Sequence, residues 1–155
     1  MLHDFQKLLI PFEGYGLTQD QDNPYMVTLE IESLPVYVCY LEESDLVLVQ
    51  CAVGVFPEGG DAASRERLLS YLRYGNNLFS LTSGATLGYD PERLLFTLQI
   101  AWPLANLVQG DAFENFIFNF LETAGSWMAL LRNAESMRLP EAAQTSMPEH
   151  LMLRV

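Results

Sequence analysis

The sequence predicts an α+β domain of order α-β-β-β-α-β-β-α, a twisted, mostly antiparallel five-stranded sheet with three helices. Three observations carry that expectation: apolar residues alternating with period two from Tyr25, two strand pairs closed by tight turns, and an apolar stripe of helical period from Phe113 to Leu131. Half of the 155 residues are apolar and only 18% are charged, so one domain with a packed core is expected. The domain is expected to span residues 1–134, with a loosely ordered tail over 135–155.

Leu2, Phe5, Leu8, Leu9 and Phe12 recur at helical spacing, while Pro11 removes an internal hydrogen bond and Gly14 and Gly16 end the element. The first helix is therefore short and kinked. Tyr25, Val27, Leu29 and Ile31 then alternate with Met26, Thr28, Glu30 and Glu32 as a half-buried strand. Residues 36–41 and 46–53 are apolar runs joined by Glu42-Glu43-Ser44-Asp45, a hairpin in which Cys39 faces Leu48 and Cys51 faces Val36. Asp61 is placed to cap a second helix from about Ala62 to Tyr74, stopped by Gly75 and Asn76. Residues 83–89 and 94–102 form a second hairpin around the turn Asp90-Pro91-Glu92. Asp111 and Glu114 have capping-box spacing at the start of the third helix.

In the first hairpin Val36, Val38, Tyr40, Val47, Val49, Cys51 and Val53 share one face, and Tyr37, Cys39, Leu41, Leu46 and Leu48 share the other. Both faces are apolar. Three helices are too few to cover both, so part of this surface is expected to meet another chain.

The formal net charge is -12, and the single lysine, Lys7, stands with seven arginines that never form a run. Binding to phosphate backbones or anionic membranes needs clustered cations, so neither nucleic acid nor an anionic membrane is expected as a partner. No apolar stretch approaches the ~18 residues of a membrane span, so no membrane insertion is expected, and the N-terminus lacks the basic start of a signal peptide. A cytoplasmic protein with two reduced, buried thiols is expected.

His3 and His150 lie near the chain ends, and the two cysteines lack zinc-ligand spacing, so neither a histidine-based acid/base centre nor a metal site is expected. Counted as a calcium loop from Asp20, the segment puts Pro24, Tyr25 and Ile31 where Asp or Asn, Gly and Glu are needed. Residues 54–59 have the glycine spacing of a phosphate-binding loop, but Gly60 and Asp61 replace its Lys and Ser/Thr. No catalytic residues and no cofactor are expected.

Residues 68–104, LLSYLRYGNNLFSLTSGATLGYDPERLLFTLQIAWPL, resemble the central signature of the class I type III secretion chaperones, which include the Tir-chaperone group. The resembling features are a leucine-rich helix ending in Asn76-Asn77, the segment 83–88, the Asp90-Pro91-Glu92 turn and an alternating apolar strand. Phe5 to Leu9 and Phe113 to Leu131 are similar to the family's first and last helices, so the resemblance spans about residues 2–134. Pro11 and the tail depart from it.

The resemblance implies a cytoplasmic homodimer that holds the N-terminal segment of a secreted effector extended, without nucleotide, through apolar anchors and added strand hydrogen bonds. It places the dimer interface around the second helix, at Leu68, Leu72, Phe79, Leu81 and Trp102. The effector anchors are expected at Phe5, Leu9 and Phe12, with Val36 and Val38 on a neighbouring strand, because the first helix carries more apolar residues than it can bury inwardly. Two alternatives stay open: an interaction module of the same fold outside secretion, and a small-ligand enzyme with a pocket on the sheet.

Overall fold

The computed structural model describes residues 2–55 and 62–133. Its strands are β1 (Thr18–Gln19), β2 (Met26–Ile31), β3 (Leu34–Leu41), β4 (Leu46–Val55), β5 (Thr86–Asp90) and β6 (Leu95–Pro103). All neighbours pair antiparallel in the order β1-β2-β3-β4-β6-β5. The helices are α1 (Leu2–Leu9), α2 (Ala62–Asn77), α3 (Phe79–Thr82), α4 (Leu104–Leu107) and α5 (Ala112–Arg132), with a 3-10 turn over Ile10–Phe12. The expected order holds. The sheet has six strands rather than five, because residues 18–19 add a short edge strand, and α3 and α4 are single turns beside the three expected helices.

The hairpin register is the expected one, with Val36 opposite Cys51 and Cys39 opposite Leu48. Val36, Val38, Tyr40, Val47, Val49, Cys51 and Val53 are all buried, as are Val27, Leu29 and Ile31 of β2. Onto this face α5 lowers Phe113, Ile117, Phe120, Ala124 and Trp127, the period of its stripe. Phe5 of α1 stacks on Tyr40 at 5.7 Å, and Phe12 meets Phe113 edge-on at 5.5 Å.

Four local expectations need correction. The second helix does not stop at Gly75 and Asn76 but runs to Asn77. Gly75 is there for space: a methyl group on it would lie 2.6 Å from Leu87 Cδ1 and would overlap the Trp127 ring. The strand expected from Ser83 starts at Thr86, because Ser83 and Gly84 turn the chain with positive φ of 51° and 85°. At α5, Asp111 makes no side-chain capping bond. The Asp61 cap, the phosphate-loop lookalike beyond Val55 and the tail 135–155 lie outside the described residues.

Both sheet edges are closed by the chain itself. On the β2 side, Asp20 N donates to Met26 O at 3.0 Å and Glu30 N donates to Tyr15 O at 2.8 Å, so residues 15–20 run along the strand as a strap. On the β5 side the Asn76 carboxamide does a strand's work: Leu87 N donates to Asn76 Oδ1 at 2.7 Å, and Asn76 Nδ2 donates to Leu87 O at 2.8 Å. Sheet edges left bare invite pairing with other chains, and both devices blunt that tendency.

Replacing a helical glycine by alanine ordinarily stabilises by up to about 1 kcal/mol. Gly75→Ala is expected to do the reverse and destabilise by about 1–3 kcal/mol, because Trp127 and Leu87 must move to admit the methyl group. Urea unfolding measures the sign directly, and a stabilised variant would contradict this packing.

Candidate functional site: the open face of the sheet

Residues of α1, α2, α4 and α5 contribute to one core, on one face of the sheet. On the other face the side chains are exposed or half-buried: Tyr37 is 46% and Leu41 38% exposed, and Cys39, Leu46 and Leu48 are half-buried. The register arranges them in rows across the strands. One row is apolar and runs Met26, Cys39, Leu48, Ala101; beside it Leu41 faces Leu46. The next row carries a hydrogen-bonding side chain from every strand: Thr18, Thr28, Tyr37, Gln50, Gln99, Thr86. The open face is therefore less uniformly apolar than the hairpin sequence alone predicts.

A second concave surface lies on the helical side, between α5 and the end of β6. It is a groove of about 720 Å³ with Leu81, Ile100, Trp102, Phe116 and Phe120 as its apolar lining and Asn115, Asn119 and Thr123 among its polar groups. Trp102 lies 5.4 Å from the Phe116 ring. The Trp127 indole fixes one wall by donating to Leu81 O at 2.8 Å.

The residues expected as partner anchors are not on either surface. Phe5, Leu9, Phe12, Val36 and Val38 are at most 8% exposed and belong to the core, so in this conformation none offers its side chain to a partner. Phe12, in the 3-10 turn that contains Pro11, packs against Phe113. Of the expected dimer residues, Leu68 and Leu72 are also core, whereas Leu81 and Trp102 are 42% and 45% exposed. The side chain of Phe79 lies outside the described residues. Sequence reasoning missed the cross-strand rows, although the alternation in residues 26–50 contained them.

Two phenols and two thiols on the sheet have raised pKa values. The Tyr40 hydroxyl donates to Asp45 at 2.9 Å, and burial first, then this carboxylate, push its pKa up to about 12. Burial, and then its hydrogen bond to Glu42, raise Tyr25. Burial alone raises Cys39 and takes Cys51 from 9.0 to about 12. Both thiols are free, Cys51 buried and Cys39 half-buried, not fully buried as expected. Among the described residues no group of three or more His, Cys, Asp and Glu side chains could hold a metal ion, and no helix is long and apolar enough to cross a membrane.

Among the described residues the domain has two layers, with one sheet face buried under the helices and the other bearing part-exposed apolar side chains. The Tir chaperone protein (CesT) family matches the chain over residues 12–128, and the chain belongs to that family. It is a chaperone of the type III secretion class, as the residues at 68–104 and their flanks imply. No curated protein matches it. Among solved structures, the fold is similar to that of a chain of the HopA1-SchA chaperone-effector complex, at 16% identity and a TM-score of 0.58 over 85% of this chain and 95% of that one. A chain of the ExsC-ExsE complex is 22% identical with a TM-score of 0.61, covering 84% of this chain and 96% of its own. A chain of the heterodimeric ExoU-SpcU complex of the Pseudomonas aeruginosa type III secretion system is 16% identical with a TM-score of 0.55, covering 83% and 94%.

Thiols and phenols with pKa values raised by folding stabilise the native state while they stay protonated. Stability is expected to be complete below pH 9.0, the ordinary value for Cys51, and to fall as pH rises through about 12, where Cys51 and Tyr40 ionise in the fold. Urea midpoints across that range, with Cys51→Ala as a comparison, would test it. A midpoint level up to about pH 11 would contradict the burial of these groups. In the same range of assays, a thiol reagent at neutral pH should modify Cys39 slowly and Cys51 only on unfolding.

Proposed function

We propose that this chaperone binds the N-terminal segment of a secreted effector in the cytoplasm, as a homodimer, and keeps that segment soluble and secretion-competent without ATP or other chemistry of its own. The observation that carries the reading is the sheet face with exposed apolar side chains which the helices of the described residues leave uncovered, in a member of a chaperone family. A disordered segment loses roughly 2–5 kcal/mol in ordering when captured, and apolar contacts on that face offset it. The similarity to chains of a chaperone-effector complex and of a type III secretion complex supports the same reading. The groove at Leu81 and Trp102 supports the second half of it, because both side chains are exposed in the isolated protomer and neither is needed for its core.

The test is capture of the tagged chain from its own host, followed by mass spectrometry of bound proteins. Secreted proteins held through their N-terminal segments are the expected result, and an unchanged capture after removal of those segments would refute it. For the dimer, sedimentation at micromolar concentration should show twice 17.5 kDa. Leu81→Asp should yield a folded monomer, since a carboxylate desolvated at an interface costs several kcal/mol while the exposed position tolerates it in the free chain. A parent chain that sediments as a monomer would overturn the homodimer.

A further inference from the structure

The charge of this protein is divided along its fold. Residues 2–55 contain nine carboxylates and one lysine, whereas residues 62–133 contain six carboxylates and five arginines. Because β1 to β4 come from the first stretch and β5 and β6 from the second, the division in sequence becomes a division across the sheet. The one lysine does not offset the acidic half, since Lys7 lies on α1 and pairs with Asp4 at 3.3 Å.

The carboxylates also sit at the ends of the apolar row. Met26 pairs with Cys39, which brings the β1–β2 turn, with Asp20 and Asp22, to the same end of the sheet as Glu42 and Glu43 in the β3–β4 turn. The Tyr25 hydrogen bond to Glu42 joins the two turns. At the far end of β2 stand Glu30 and Glu32.

We propose that the open face over β2, β3 and β4 is the docking surface for a cationic, apolar polypeptide segment, in which Leu, Val or aromatic side chains settle on Met26, Cys39, Leu41 and Leu48 and Lys or Arg side chains reach the carboxylates at the turns. The inference rests on the chaperone reading and gives the chemistry of the segment it holds. Charge complementarity selects this occupant. A second copy of the chain fits the same face poorly, because an isologous contact would bring the acidic ends of one face against the acidic ends of the other. At the sheet edges, the Asn76 carboxamide occupies the Leu87 N–H and C=O of β5, and β1 is only two residues long. On the open face, the row from Thr28 through Tyr37 to Gln50 supplies hydrogen bonds to the segment's polar groups.

Fluorescence anisotropy with the full chain and three labelled synthetic peptides tests this: one alternating Lys with Leu or Val, one with Glu in place of Lys, and one with the Lys and apolar residues of the first segregated into two blocks. The alternating cationic peptide should bind best, and its affinity should fall by about tenfold or more between about 0.1 M and 1 M salt as the screening length shrinks from about 10 to 3 Å. Glu42→Gln with Glu43→Gln should lose most of that salt dependence, and Leu41→Ser should weaken binding at both salt concentrations. Glu92→Gln with Glu114→Gln, in the other half, should change neither. Equal binding of the cationic and acidic peptides, or parent-like binding by both the glutamine pair and Leu41→Ser, would overturn the surface. A chain that binds the alternating peptide as described yet captures no secreted protein from its host would keep this surface and lose the secretion reading.

Discussion

One constraint organises this molecule: its central hairpin has apolar residues on both faces, and the helices of the described residues cover only one. A sheet buried on both sides needs helical layers above and below it, as in doubly wound folds. Here α1, α2 and α5 all pack into the same core, over Val36, Val38, Val47 and Val49. Burial of that face fixes the register, since a slip of one residue would exchange it for Tyr37, Cys39 and Leu48. The face that remains is consequently presented in a fixed pattern, and a rigid pattern lowers the ordering cost of whatever docks on it.

Closing the edges follows from leaving the face open. A sheet with a bare face and bare edges would recruit copies of itself in two directions. The strap over residues 15–20 and the Asn76 carboxamide occupy edge groups at Met26, Glu30 and Leu87. The Asn76 bonds also explain why α2 continues one turn beyond Tyr74: only a helix that reaches Asn77 sets that amide beside β5.

The sequence made the closed face legible because its signals are local. A four-residue turn at 42–45 sets the pairing of β3 with β4, and the stripe of α5 follows from its period alone. What escaped depends on neighbours distant in sequence. Gly75 looks like a helix stop until Trp127 is placed against it, and Asn76 looks like a cap until Leu87, eleven residues on, is brought alongside. The β2–β3 turn was hidden for a different reason: Glu32 and Ser33 both adopt positive φ, of 51° and 65°, without the glycine or asparagine that usually announces it. The anchors were sought on a surplus of apolar residues that the first helix does not have. Phe5, Leu8, Leu9 and Phe12 stand at i, i+3, i+4 and i+7, a single face, and all four are buried.

Exposed apolar surface and solubility are opposed, and the position of the charge reconciles them. Tyr37 and Leu41 present enough apolar area to make self-association a hazard, yet they lie within the half of the molecule that holds nine carboxylates. Like charges meeting across a contact repel, so the acidic turns weigh against two such faces coming together, while the nearly neutral half around Trp102 carries no comparable penalty. The same carboxylates leave hydrophobic burial on the face available to any segment whose charge is opposite or absent. Charge thus acts in this fold as a selector laid over a surface that would otherwise bind apolar chains, its own copies included.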